Sequence, residues 1–195
     1  MHSASRRRWR SRLARRPDIL PFWSWLWDSG SLTTRLQRHG RFSVQLLTQR
    51  LSCPTRDEAV ELGIAANHYV RIREVALFLD GQPVVFAHTA LPTTPRGTVT
   101  RWLARLGNRS LGSMLFSHPE FTRGPLAAMR LDTRHPLHAS SIRALQLPAT
   151  TRLWARRSLF RFKGQSILVT EVFSPRLAES IPSVTKTAHR KFDDR

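Results

Sequence analysis

The sequence predicts an α+β fold, a single antiparallel sheet of about six strands with helices packed on one side. Two long strand pairs close on tight Asp-Gly and Lys-Gly turns, a further strand shows period-two alternation, and short segments of helical period lie before and between them. A chain of 195 residues is long enough for one such domain with a real core, and its length argues against several.

Ile19, Leu20, Phe22, Trp23, Leu26 and Trp27 recur at helical spacing until Asp28-Ser29-Gly30 breaks the run. The tryptophans are expected to pack on the domain, with anchoring at a membrane surface the weaker alternative. Ser31 caps a second helix that runs to His39 and stops at Gly40. Phe42, Val44 and Leu46 alternate with polar residues in a half-buried strand reaching about Leu51. Thr55-Arg56-Asp57-Glu58 has capping-box spacing and starts a helix through about Leu62.

Val70, Ile72, Ala76 and Phe78 share one face of a long strand. Asp80-Gly81 turns it, and the return strand runs from Val84 to Leu91 before Pro92. A helix near Thr100 to Leu106 follows, then a loop marked by Gly107 and Gly112. Residues 124–150 hold Gly124, Pro125, Pro136 and Pro148 without a clear period and read as mostly loop with one helical turn. Leu153 to Phe162, the Lys163-Gly164 turn and Ile167 to Phe173 form the second hairpin, which Pro175 stops. The chain therefore divides into a basic N-terminal arm without fixed structure (1–17), the folded domain (18–175) and a flexible tail (176–195).

With 32 Lys and Arg against 13 Asp and Glu, the formal net charge is +19, and a polyanion such as nucleic acid is the first partner this suggests. The distribution weakens that reading. Residues 1–16 hold seven arginines and no acid, residues 176–195 add a surplus of two, and the body between carries +10. Arginines outnumber lysines 29 to 3, a bias more typical of coding composition than of a selected surface. For the first segment a transit peptide and a nucleic-acid arm stay open beside a solvated start. No zinc-finger pairing, RNP-like aromatic motif or helix-turn-helix pattern supports nucleic-acid binding. No apolar run approaches the roughly 18 residues of a membrane span. The single cysteine, Cys53, excludes an intramolecular disulfide and a Cys-built zinc site and points to a reducing compartment. Among eight histidines only His135 and His138 have ligand-like spacing, without a nearby third ligand, so no metal is expected. Gly-rich phosphate loops and a Ser-His-Asp signature are absent.

Two residues stand out as candidates for chemistry. Alternation in the last strand puts Ile167, Val169, Glu171 and Phe173 on one face. A carboxylate placed among apolar side chains is costly unless paired or solvated, so Glu171 needs a basic residue, a ligand hydroxyl or water. Arg73 shares its strand face with Arg71 and Val75. Aimed into a sheet-walled pocket it offers a two-pronged grip on a carboxylate; as an exposed strand residue it would pair with Glu74 or a cross-strand acid.

Four runs in series carry a resemblance: Arg71-Ile72-Arg73-Glu74-Val75-Ala76-Leu77 leading to Asp80-Gly81-Gln82-Pro83, Ser110-Leu111-Gly112-Ser113-Met114-Leu115-Phe116, Leu153-Trp154-Ala155-Arg156-Arg157-Ser158, and Leu168-Val169-Thr170-Glu171-Val172-Phe173-Ser174-Pro175. In order and spacing the chain resembles the chorismate pyruvate-lyase family over about residues 20–175. The resemblance implies a cofactor-free, metal-free enzyme that splits chorismate into 4-hydroxybenzoate and pyruvate, the first committed step of ubiquinone biosynthesis. It implies that Arg73 holds the ring carboxylate, that Glu171 meets the ring hydroxyl, and that the backbone of Leu111 helps bind the carboxylate. A fourth binding position, usually methionine, falls on Leu32. Arg73 and Glu171 are then the catalytic candidates, and Arg123 and Arg157 are candidates for the second carboxylate. The Arg-rich start, extra residues around 134–148 and the tail depart from the family.

The expected partner is the small-molecule substrate chorismate, in a cytoplasmic monomer with no nucleic-acid partner and no stable membrane insertion. The alternative is a non-catalytic small-ligand-sensing domain of the same fold, as in bacterial transcriptional repressors. Such a protein would carry a winged-helix domain upstream, and only about 20 residues precede the resemblance here.

Overall fold

The computed structural model describes residues 8–93 and 97–180. The first seven residues of the expected arm and residues 181–195 of the expected tail lie outside the described residues. Local chemistry explains most of the elements. A 3-10 turn over Leu20–Phe22 leads into α1 (Trp23–Leu26), and α2 (Leu32–Gln37) starts where the Ser31 hydroxyl accepts from the Thr34 N–H. Strand β1 (Phe42–Ser52) is followed by α3 (Arg56–Leu62), whose capping box joins Thr55 and Glu58 and whose end turns on Gly63 at φ 67°. The hairpin of β2 (Val70–Leu79) and β3 (Gln82–Pro92) reverses at Asp80 and Gly81, both at positive φ. That is the twist a two-residue turn between antiparallel strands requires. Helices α4 (Thr98–Ala104) and α5 (Leu111–Ser117) come next, then β4 (Thr122–Arg123), β5 (Ala127–Leu131), α6 (His138–Leu145), the hairpin of β6 (Leu153–Phe162) and β7 (Gln165–Phe173), and α7 (Pro175–Ser180).

Among the described residues all strands join one antiparallel sheet in the order β1-β2-β3-β7-β6-β4, with β5 also paired to β6. The α+β class and the single antiparallel sheet are those the sequence predicts. The sheet has seven strands because residues 127–131, expected as loop, pair with β6 from Ala127 opposite Arg157 to Leu131 opposite Leu153. The segment 138–145, expected as little more than a turn, is an eight-residue helix, and Leu111–Ser117, expected as loop, is α5.

Register sorts side chains into rows across the sheet. Arg73, Thr89, Val169 and Ser158 form one row, and Val75, Ala87, Glu171 and Arg156 form the next on the same face. Glu74, His88, Thr170 and Arg157 form a row on the opposite face. The first face packs Val75, Leu77 and Phe173 against Trp25, Leu26, Leu32 and Leu36. The second face is also covered: Leu137 and Leu145, at the ends of α6, pack with Phe86, Leu131 and Val172, and Leu62 of α3 packs with Ile72, Ala90 and Leu168. Helices therefore sit on both faces, beyond the single covered face expected. A strand buried on both sides loses its alternation, which is why β2 is buried at eight of its ten positions.

The ends of the domain extend past the boundaries the sequence suggests. Arg10 exchanges backbone hydrogen bonds with Ala128 at 3.0 and 2.8 Å, and the Trp9 indole donates to Asp57. These contacts give the free edge of β5 a partner. At the other end Leu177 of α7 is fully buried in the first core.

On the second face α3 is held by charge. His88 donates to Glu74 at 3.0 Å, and its other ring nitrogen lies 3.0 Å from a Glu58 carboxylate oxygen, an ion pair without straight hydrogen-bond geometry. Burial alone would lower the His88 pKa, but the two carboxylates outweigh it and raise it to about 9. Burial would raise that of Glu58, but the contact with His88 and the cap at Thr55 hold it at about 2. A raised histidine stabilises the fold fully below its ordinary value of 6.5 and loses that contribution as pH rises through about 9. A depressed carboxyl contributes above 4.5 and loses its contribution as pH falls through about 2. Thermal unfolding should therefore show a plateau between those two ordinary values and a decline on the alkaline side that His88→Gln flattens. An undiminished alkaline decline in the variant would contradict the assignment.

Candidate active site

Helices α2 and α5 meet over the first face of the sheet and enclose a small cavity of about 40 Å³. The floor is Arg73, Val75 and Leu77 of β2, Ala87 and Thr89 of β3, and Val169 and Glu171 of β7; the roof is the first turns of α2 and α5. The two helix starts approach closely because Gly112 has no side chain: a Cβ there would lie 3.0 Å from the Thr33 hydroxyl oxygen. The Thr33 and Ser110 hydroxyls share a short hydrogen bond across that junction. An open apolar groove lined by Phe42, Val44, Trp102 and Met114 lies beyond it and also touches Thr33 and Ser110.

The structure brings Leu32, Arg73, Leu111 and Glu171 to this one cavity. Leu32 and Leu111 are the first residues of α2 and α5, and each is almost fully buried. First-turn N–H groups have no acceptor within their own helix. Arg73 is 1% exposed. One guanidinium nitrogen donates to the carbonyls of Gly107 (2.8 Å) and Arg109 (2.9 Å), and its Nε is buried with no hydrogen-bond partner among the described residues. Burial lowers its pKa to about 10 with no carboxylate offsetting the effect. Glu74, the acid suggested for it, points to the other face and serves His88. Arg73 is thus a buried cation without a counter-ion among the described residues.

Glu171 is partly buried, with its Oε2 held at 2.5 Å by Nε of Arg156, the residue opposite it in register. The basic partner that a carboxylate on this face needs is therefore Arg156. Its Nη1 also donates to the carbonyls of Trp25 (2.6 Å) and Asp28 (2.8 Å). Arg123 lines the cavity from β4, fixed by the Ser158 hydroxyl and the Ser29 carbonyl at 2.8 Å each and lying over the rings of Phe116 and Phe160. Burial lowers its pKa as well. Arg157 does not reach the cavity. It lies on the opposite face, bound to Asp57 at 2.9 Å and Glu61 at 2.8 Å, so its expected role at a second carboxylate is withdrawn.

A cavity lined by a buried arginine without an ion-pair partner among the described residues, a second arginine at its wall and a carboxylate suits a small anion with a hydroxyl group. The family model described as "Chorismate lyase" matches residues 14–181. The chain belongs to the chorismate lyase family. A probable chorismate pyruvate-lyase of Dechloromonas aromatica is 50% identical over 172 residues, covering 87% of this chain and 96% of that protein. Another, from Aromatoleum aromaticum, is 44% identical over 157 residues, covering 80% and 85%. Among solved structures, PhnF from Mycobacterium smegmatis superposes with a TM-score of 0.55 at 17% identity, covering 76% of this chain and 65% of that one. The C-terminal domain of a histidine utilization repressor from Pseudomonas syringae gives 0.53 at 11%, covering 70% and 93%. At such identities the likeness shows a shared fold alone.

Within this chorismate lyase family member, the described residues contain no group of three or more His, Cys, Asp or Glu side chains placed to hold a metal ion and no helix long and apolar enough to cross a membrane. Arg156 was not among the residues singled out from sequence. A signal for it existed: in the hairpin closed by Lys163-Gly164, Arg156 and Glu171 stand six residues back from Phe162 and Gln165 on either side and are thereby paired.

Proposed function

We propose that the chain converts chorismate to 4-hydroxybenzoate and pyruvate, supplying the aromatic head-group precursor of ubiquinone. Arg73 supports this reading best, because a buried guanidinium with no counter-ion among the described residues is relieved by a carboxylate ligand. In the proposed complex the ring carboxylate of chorismate binds Arg73, aided by backbone N–H groups at the start of α5 around Leu111, and Leu32 lines the ring. The enolpyruvyl carboxylate is assigned to Arg123, and the ring hydroxyl to the free oxygen of Glu171.

The reaction is an elimination. A proton leaves the hydroxyl-bearing ring carbon, its electron pair forms the third ring double bond, and the ether carbon–oxygen bond breaks to release enolpyruvate. Enolpyruvate gains a proton and becomes pyruvate. No net oxidation occurs and aromaticity drives the step, so the residues named here are asked only to bind, orient and move one proton. Glu171 sits beside that proton and accepts it. The test is direct turnover: purified protein given chorismate should yield the two products in equal amounts as chorismate disappears.

A further inference from the structure

We infer that Arg156 is the positioning residue of this site, setting one oxygen of Glu171 toward the substrate and fixing the cavity roof by the same side chain. The inference rests on the proposed lyase reading and concerns how that site is assembled. Arg156 is 1% exposed, and each of its described bonds reaches a part of the site. Its Nε holds Oε2 of Glu171, a residue that lines the cavity, and Oε1 carries no hydrogen bond from a described residue. Its Nη1 binds the carbonyls at the end of α1, Trp25 and Asp28. The segment that follows is gripped twice more, by Arg123 at the Ser29 carbonyl and by Arg35 at the Asp28 carboxylate, and then enters α2 at Leu32. One rigid fork thus spans from the sheet-borne carboxylate to the segment that delivers Leu32 and Thr33 to the roof.

A lysine would keep the charge, but its three donors sit on one nitrogen at the end of a flexible stem and cannot span the carboxylate oxygen and both carbonyls as the separated Nε and Nη1 do. Misplacing a reacting group by an ångström costs on the order of a hundredfold in rate. Arg156→Lys should therefore lower kcat roughly 10- to 100-fold while KM for chorismate changes less than about threefold. If Arg156 acts through Glu171, its loss matters little once Glu171 is disabled. In a double-mutant cycle, Arg156→Lys added to Glu171→Gln should cost less than about threefold more. A purely structural role would multiply the two losses.

Folding of each variant is checked by circular dichroism and melting. If Arg156→Lys does not fold, the double variant Arg156→Gln/Glu171→Gln, which removes both buried charges together, takes its place and should match Glu171→Gln alone. Wild-type kcat in a folded Arg156→Lys, multiplicative losses in the cycle, or failure of both variants to fold would each overturn the inference. Absence of turnover in the wild-type protein would instead sink the lyase reading itself, so the two failures are distinguishable.

Discussion

Arg73→Ala should remove nearly all turnover of chorismate while leaving a folded protein. Hydrogen bonds to charged groups contribute about 1.5–3 kcal/mol each. Two lost from the ring carboxylate correspond to roughly a hundredfold to ten-thousandfold in kcat/KM. Stability moves less, because the variant also relieves a buried guanidinium that has no counter-ion among the described residues. Against that gain stand the carbonyls of Gly107 and Arg109, which lose their donor. Arg73→Lys keeps the charge without the fork and should fall between wild type and Arg73→Ala. Steady-state kinetics with chorismate, beside a melting curve, checks the pair. Turnover within a few fold of wild type in folded Arg73→Ala would remove this arginine from the site.

Glu171→Gln is the second large effect. The amide keeps the shape and an acceptor for Arg156 but cannot take a proton. General base catalysis is worth about 10²- to 10⁴-fold, so kcat should fall by that order if Glu171 receives the ring proton. If Glu171 only orients the hydroxyl and the substrate supplies its own base, the loss should be tenfold or less, the scale of about one net hydrogen bond. Loss of the ion pair leaves the Arg156 guanidinium with a weaker partner, so a lower melting temperature accompanies the kinetic change. Measuring kcat and KM separately distinguishes the roles, because loss of a transition-state interaction lowers kcat and kcat/KM together.

Local rules revealed the elements that local chemistry stabilises. The two Gly-containing turns, the Thr55 capping box, the Ser31 cap and the alternation of β1 each rest on residues only a few positions apart in sequence. Elements stabilised from outside themselves were not legible in that way. Helix α6 is short, holds two serines and one histidine among its eight residues, and is secured by Leu137 and Leu145 against Phe86 and Val172 on distant strands. Helix α5 begins beside two glycines that read as loop punctuation, and its Ser110 hydroxyl bonds Thr33 instead of capping its own helix.

The candidate site divides along the same line. Alternation separated Arg73 from Glu74 and Arg156 from Arg157, but with both faces of the sheet covered it could not say which member of each pair faces the cavity. Register settles it. Once Arg156 is paired with Glu171, Arg157 must face α3 and its acids. The charge of +19 reads differently in this light. Arg157, Arg130 and Arg35 are matched to acids in ion pairs, whereas Arg73 lines the cavity buried and without an acid partner among the described residues.

In the proposed function this cavity turns chorismate over and does not merely hold it. Mixing the purified full chain with chorismate and quantifying all three compounds over time tests it most directly. The expected result is loss of chorismate matched mole for mole by 4-hydroxybenzoate and pyruvate. Chorismate that binds and remains intact, with neither product formed, would contradict the account and leave the chain as a ligand-sensing domain of the same fold.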